Sequence, residues 1–216
     1  MSIITIISYL LLAFAFLSGL VRYKKLTRPI KILTFYLLFT VLLTIFNSLF
    51  INRYKNNIPL LHVQTLVTYL FYSLIYYYLL KNTLIRKVIL ISMVLISIFF
   101  IINAMFLQPF TKIFPSNVIL INDVIYVIFS LMLFKQMLLY TVQINIIRQS
   151  VFWFNTSILF LSTTMFLNYA LINYYGQHHL NNSIIFYFWY CANIISNVLF
   201  GISIWTDKKI KYNTHV

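Results

Sequence analysis

Asp123 is the side chain in this sequence that is best placed to do chemistry, because it is a carboxylate inside an apolar stretch. The chain has only two acidic residues, and the other, Asp207, follows the last apolar stretch in a basic tail. An ionisable group within a bilayer costs about 2.5–3.5 kcal/mol on insertion scales, and it generally faces a bundle interior or a wet cavity. One such carboxylate cannot share acid–base catalysis with a second. The sequence therefore predicts that Asp123 binds a ligand, a cation or a proton.

Further polar residues lie inside the apolar stretches at depths comparable to that of Asp123, which is about five residues, or ~8 Å, into its stretch. Steps of three or four residues place side chains on one face of a helix. In the third stretch such a face carries His62, Thr65, Tyr69, Tyr72 and Tyr76. We predict a polar pocket that opens outward, with Asp123 at or near its floor. Its predicted residues are Asp123, His62, Asn47, Asn103, Asn122, Tyr126, Asn168, Tyr190 and Asn193.

The same polar side chains also have a purely structural interpretation. Asn, Ser and Thr form hydrogen bonds across membrane helices as packing contacts, and tyrosines anchor helices at the membrane interface. Asp123 itself could form a structural hydrogen bond to His62 or to a nearby asparagine. The sequence alone leaves both interpretations open.

The composition places these residues in a membrane protein. The chain is 62% hydrophobic and 8% charged, whereas soluble domains are about 45–50% apolar and about 25% charged. Long apolar stretches are typical of bilayer-spanning helices. We predict an all-α membrane protein, a seven-transmembrane-helix bundle that forms one domain. Its helices are predicted at about 3–21, 32–50, 60–80, 88–107, 118–140, 152–174 and 184–205, followed by a basic cytoplasmic tail at 206–216.

The basic residues predict the orientation of this bundle. Thirteen lysine and arginine residues flank one set of helix ends, and three flank the opposite set. Because cytoplasmic loops carry the excess of these residues, the N-terminus is predicted outside and the C-terminus in the cytoplasm. The first stretch has no preceding positive charge and is followed by five basic residues. We therefore expect a retained helix and not a cleaved signal.

Several classes of function lack the residues that they need. The last stretch, 184–205, has no lysine for a retinal Schiff base. Four histidines, two aspartates and no glutamate do not form a clustered metal site, and the single Cys191 excludes a cysteine-ligated zinc. Three glycines form neither a P-loop nor a Rossmann fingerprint. The sequence thus indicates no enzyme, no metal and no cofactor. Its basic clusters are explained by topology and lipid, without nucleic acid.

Three short motifs resemble those of a family of seven-helix integral membrane proteins of Bacteroidota. They are Asn56-Asn57-Ile58-Pro59-Leu60-Leu61-His62, Phe106-Leu107-Gln108-Pro109, and Phe152-Trp153 followed by Ser162. The resemblance implies a multi-pass protein of the bacterial inner membrane, and similar proteins occur beside sensor kinases. In that family a glutamate often follows the histidine of the third helix. This chain has no glutamate, so any role of that acid is absent or lies elsewhere.

Three functions agree with these observations. The first is a receptor-like or accessory signalling protein, which binds its ligand in the outward pocket and acts on a membrane partner such as a sensor kinase. The second is a small-solute or proton-coupled transporter with Asp123 as the binding acid. The four prolines (Pro29, Pro59, Pro109 and Pro115) all fall at helix ends or in loops and not at a midplane site, and the two halves show no repeat, which weakens the transporter. The third is a structural membrane partner.

Overall fold

The computed structural model describes residues 3–140, 145–178 and 183–208. Within these ranges the chain forms helices and turns and no strand. Seven of the described helices are long and apolar enough to cross a membrane. This confirms the predicted all-α bundle, which has the architecture of a multi-pass membrane protein. The helices are α1 (Ile3–Arg22), α2 (Arg28–Tyr54), α3 (Ile58–Leu79), α4 (Thr83–Ile102), α5 (Ser116–Tyr140), α6 (Ser150–Gln177) and α7 (Ser183–Thr206).

Two helices begin earlier than the apolar stretches predict. Helix α2 starts at Arg28, with Pro29 in its first turn, where a missing amide hydrogen costs nothing. Helix α4 starts at Thr83 because the side chain of Asn82 accepts hydrogen bonds from two amides of its first turn. Arg28 and Lys31 therefore belong to α2, and Arg86 and Lys87 belong to α4. The predicted tail lies outside the described residues from 209 onward.

Helix α3 lies at the centre of the bundle. The helices pack against one another in chain order, α7 closes the ring against α1, and α3 also packs on α5. The ring of Tyr72, which is 2% exposed, contacts aromatic rings from four other helices, namely Tyr36, Tyr126, Phe154 and Phe200. The polar face predicted for the third stretch does face the interior, since it contributes the buried residues His62, Thr65, Tyr69, Tyr72 and Tyr76.

Direct contacts fix the relative directions of the central helices. The hydroxyl groups of Tyr76 and Ser130 are 2.6 Å apart, and the Tyr76 hydroxyl donates to Asn155 at 3.0 Å. One turn further along, Phe134 of α5 contacts Phe152 of α6. Helices α5 and α6 are therefore antiparallel. We name the end of the bundle where α1, α3, α5 and α7 terminate the basic end, after the lysine and arginine residues that flank it.

A close contact joins α1 to α2. A Cβ atom on Gly19 would lie 2.6 Å from the side chain of Thr34, well inside van der Waals distance. Small residues allow membrane helices to approach in this way, and the resulting dispersion contacts hold them together without a hydrophobic driving force. By contrast, a Cβ on Gly201 would meet nothing within 4 Å. Of these two glycines, Gly19 is the one for which packing requires the absence of a side chain.

The outer surface of the bundle is apolar. Helix α4 exposes much of its length, including Leu90, Ile91, Val94, Leu95 and Ile98, and only two of its residues are buried. In water such a surface would mark an interface. Around a multi-pass bundle, acyl chains solvate it, so the polar residues inside become the informative ones.

Candidate functional site

Asp123 lies in the interior of the bundle, as the sequence predicts for a functional carboxylate. Its side chain is 7% exposed and faces α6, where the buried Ser162 is its polar neighbour. The second carboxylate oxygen, Oδ2, is buried and has no hydrogen-bond partner. A carboxyl group can form hydrogen bonds at both of its oxygens, so Asp123 has unused capacity to bind a donor or a cation.

Two tyrosine hydroxyl groups share this property. Tyr126 lies one turn from Asp123 on the same face of α5 and interacts with it electrostatically. Its ring contacts the ring of Tyr72 at 5.3 Å, and the hydroxyl groups of both tyrosines are buried without a partner. The buried Asn122 also leaves its Oδ1 unpartnered. We call Asp123, Asn122, Tyr126, Tyr72 and Ser162 the Asp123 cluster.

Unpartnered polar atoms of this kind carry information. Leaving a buried donor or acceptor unsatisfied costs about 1–3 kcal/mol. Native proteins keep few such groups, and each one calls for an explanation such as a bound water, a bound ion or a catalytic role. Four of the five residues of the Asp123 cluster have such an atom. The cluster is therefore the strongest candidate for a binding site among the described residues.

The next polar layer toward the basic end is different, because its hydrogen bonds are complete. The Tyr76 hydroxyl binds both Ser130 and the side chain of Asn155, and the Asn155 amide donates to the Ser130 carbonyl at 3.0 Å. All three residues are fully buried. This triad joins α3, α5 and α6 one turn from the Asp123 cluster.

His62 does not bind Asp123 but positions the α4–α5 loop, residues 108–115. Its Nε2 lies 3.0 Å from the carbonyl oxygen of Ile113, and its ring packs on Phe110 at 5.1 Å. In the register set by Tyr76 and Ser130, His62 is level with the start of α5, about 10 Å from the level of Asp123. The sequence placed His62 and Asp123 at similar depths because each depth was counted from the start of its own helix, whereas in this register α3 begins about 6 Å further out than α5.

Asn103 belongs to the same loop. The chain makes a π-helical turn at Asn103–Leu107, where α4 ends. The Asn103 amide donates to Gln108 at 3.1 Å and its oxygen accepts from Asn117 at 3.2 Å. Gln108 in turn donates to the hydroxyl of Ser116 at 2.9 Å. These bonds satisfy the end of α4 and the start of α5, which is a structural role.

The α4–α5 loop closes the end of the bundle where the pocket is predicted to open. Phe114 stacks on Tyr169 of α6 at 5.7 Å, and the Tyr169 hydroxyl accepts from the indole of Trp189 at 2.9 Å. Neither the surface groove lined by Ile32 and Phe71 nor the one lined by Phe50 and Pro59 has Asp123 in its wall. The outward opening remains a prediction, which requires movement of this loop.

The other predicted pocket residues lie away from the Asp123 cluster, at other contacts within or between helices. Asn168 donates to the Ile185 carbonyl at 3.3 Å, Asn193 donates to the Trp189 carbonyl of its own helix at 2.8 Å, and Tyr190 interacts with Tyr9 of α1. The half-buried Asn47 leaves its Oδ1 unpartnered on α2. The structure thus brings together Asp123 and Tyr126 and buries Asn122 next to Asp123 in the same helix, while the remaining residues were grouped only by their depth.

Asp207 is a residue whose position the sequence did not reveal. It follows α7 and is 3% exposed. Its carboxylate accepts from the Thr27 amide at 2.6 Å, from the Thr27 hydroxyl at 3.0 Å and from the Ser150 hydroxyl at 2.7 Å. Arg22 donates to its carbonyl oxygen at 3.0 Å. We call Asp207, Thr27, Ser150 and Arg22 the Asp207 cluster.

Helix dipoles explain why the Asp207 carboxylate is favourable at this position. Thr27 precedes α2 and Ser150 begins α6, so the positive ends of two helix dipoles meet at one carboxylate. Both hydroxyl residues stand where helix-capping residues are common, which is the signal that could have revealed the site. The cluster fastens the end of α7 to the starts of α2 and α6.

The donor set and the comparisons limit what can be said of the Asp123 cluster. No three His, Cys, Asp or Glu side chains meet anywhere in the described part of the chain. A cation here would have oxygen ligands from a carboxylate, hydroxyl groups and an amide, which suit hard cations. No family model matches the chain, and no curated protein or solved structure shows significant similarity to it. The resemblance to the Bacteroidota family stays a prediction.

Proposed function

We propose that this protein is a receptor-like or accessory signalling protein of a bacterial inner membrane, with its N-terminus outside and its C-terminus in the cytoplasm. Its ligand binds at the Asp123 cluster, which is reached from the outer side. The observation that carries this proposal is the buried Oδ2 atom of Asp123, which has no partner and lies near Tyr126, whose buried hydroxyl group has no partner either.

The chemistry of the cluster favours a small cation or a small protonated amine. A carboxylate attracts positive charge strongly where water is excluded. The tyrosine rings add their negative faces, which also attract cations. The rings of Tyr36, Tyr72 and Tyr126 touch one another, with centroids 4.7 and 5.3 Å apart along the row. This spacing leaves no room for a large organic ligand without rearrangement.

Two features support a receptor over a carrier. Carriers generally bind substrate at broken helices near the membrane midplane, whereas Pro29 and Pro59 lie in the first turns of α2 and α3. The Asp207 cluster also joins four helices, α1, α2, α6 and α7, at the basic end. Signal output would then pass to a partner, such as a sensor kinase, through the basic loops or lipid-facing helices.

One observation favours transport as the second candidate. Polar groups continue from the Asp123 cluster along α3 to the triad of Tyr76, Ser130 and Asn155. A line of hydroxyl groups beside a single acid is an arrangement through which protons can move. In this alternative Asp123 binds a proton or a cation during each cycle.

The test compares wild-type protein with Asp123→Asn in two assays. Thermal unfolding in detergent is measured with sodium chloride, methylammonium chloride and N-methylglucamine chloride, the last being too large for the cluster. Proton and sodium flux are measured in liposomes. A receptor shows stabilisation by a small cation that is lost in Asp123→Asn, and no flux. Flux that disappears in the variant establishes the carrier instead.

Asp207→Asn is the matched control, because it removes the only other carboxylate of the chain. It is expected to lower stability while keeping the stabilisation by cations. If neither cation-dependent stabilisation nor flux occurs in the wild-type protein, the Asp123 cluster is not a binding site and the structural role is correct.

A further inference from the structure

A groove on the outer surface lies between α2 and α3. It has a volume of about 400 Å³ and is open along one side. All the side chains that line it are apolar: Ile32, Phe35, Leu38, Phe39, Leu42, Phe71 and Leu74. Because the surrounding surface contacts the acyl chains of the bilayer, a groove of this lining is suited to one acyl chain.

The positively charged side chain of Arg28 lies where the two walls of this groove reach the basic end. Arg28 lies four residues before Ile32 on α2, and Tyr78 lies four residues after Leu74 on α3, so both continue the walls by helical periodicity. The Arg28 guanidinium group lies over the Tyr78 ring, 4.2 Å from its centroid. This cation–π contact holds the positive charge at the end of the groove.

A second cation flanks the same end from the side of α1. The Lys31 ammonium group lies 4.8 Å from the centroid of the Tyr23 ring. Tyr23 packs edge-on against Phe35, a residue of the groove, at 5.9 Å. Two basic groups held by aromatic rings therefore stand on either side of the groove where it meets the membrane surface.

Neither acidic side chain of the sequence neutralises these two cations. The only acids are Asp123 and Asp207. Asp123 lies in the bundle interior, and the Asp207 carboxylate is engaged by Thr27 and Ser150. Arg28 and Lys31 thus present uncompensated positive charge beside an apolar groove, a combination complementary to a phosphate joined to an acyl chain.

We propose that this groove binds an anionic phospholipid. One acyl chain lies along α2 and α3, and the headgroup phosphate contacts Arg28 and Lys31. The site is separate from the Asp123 cluster and does not depend on the proposed function. Each basic group near an anionic headgroup contributes about fivefold in affinity, so the pair contributes about 30-fold over a neutral headgroup.

Native mass spectrometry of the purified full-length protein tests this proposal. Phosphatidylglycerol and phosphatidylcholine with identical acyl chains are titrated separately. The wild-type protein is expected to bind phosphatidylglycerol about 30-fold more tightly. Arg28→Gln with Lys31→Gln should reduce that affinity to the value for phosphatidylcholine. Equal wild-type affinity for both lipids would overturn the proposal.

Lys25→Gln with Lys87→Gln is the matched control, since it removes two exposed positive charges at the same end. It should change phosphatidylglycerol affinity by less than about threefold. An equal loss in both double variants would show that the charge acts diffusely and that no site exists. Leu38→Trp fills the groove and should weaken both lipids, with Leu38→Phe as a milder variant. Unchanged binding of both lipids in the folded groove variants would also refute the site.

Discussion

Removing the Asp207 carboxylate should destabilise the bundle more than any other single change to an acidic residue. Asp207→Ala deletes an acceptor that receives three hydrogen bonds, two from Thr27 and one from Ser150. Hydrogen bonds to charged groups contribute about 1.5–3 kcal/mol each. Because the cluster lies at a helix end, water can partly replace the lost acceptor. We expect a loss of about 3 kcal/mol, below the sum of the three bonds.

This loss converts into a measurable change in the unfolding temperature. For a chain of this length, 1 kcal/mol shifts the midpoint by about 2–4 °C, so about 3 kcal/mol gives a decrease of about 6–12 °C. Asp207→Asn keeps the size and one acceptor oxygen and should lose about half as much. Intrinsic fluorescence is a suitable assay, because Trp205 lies under Arg22, 5.1 Å from its guanidinium carbon.

Asp123→Asn is the matched substitution in the second acid. It removes a buried carboxylate whose Oδ2 has no partner, so in the absence of ligand we expect an unchanged or higher midpoint. A double-mutant cycle of Asp207→Ala with Ser150→Ala should give a coupling energy of about 1 kcal/mol or more. Additive effects, or a wild-type midpoint in Asp207→Ala, would refute the structural role of the Asp207 cluster.

Two further changes test the packing around the site. Gly19→Ala places a Cβ against Thr34 and should lower the unfolding midpoint by several degrees. Gly201→Ala is the control, because open space surrounds this position, and it should be neutral or slightly stabilising. Equal effects of the two substitutions would contradict the close α1–α2 contact. His62→Ala removes a contact to the α4–α5 loop and should speed amide exchange there, while His178→Ala at the end of α6 should not. Unchanged exchange in both variants would show that His62 does not hold the loop.

The sequence determined the architecture because that architecture follows from local quantities. Apolar length fixes how many helices can span a bilayer, and helical periodicity separates interior from lipid-facing residues. The interior face of α3 and the burial of Asp123 were predicted for these reasons and are confirmed. Helix boundaries were less accurate, since α2 begins at Arg28 and α4 begins at Thr83, both before the predicted apolar stretches.

Tertiary structure decided which polar residues meet. Depth along a helix does not say which neighbour a side chain faces, so His62 reaches the α4–α5 loop and Tyr190 reaches α1, while Tyr72 completes the Asp123 cluster. The two acids show the difference most clearly. Asp123 looked unusual because of its apolar surroundings in sequence. Asp207 looked ordinary in the sequence. Only the tertiary structure shows that the starts of α2 and α6 both bind its carboxylate, so that this side chain holds the ends of three helices together.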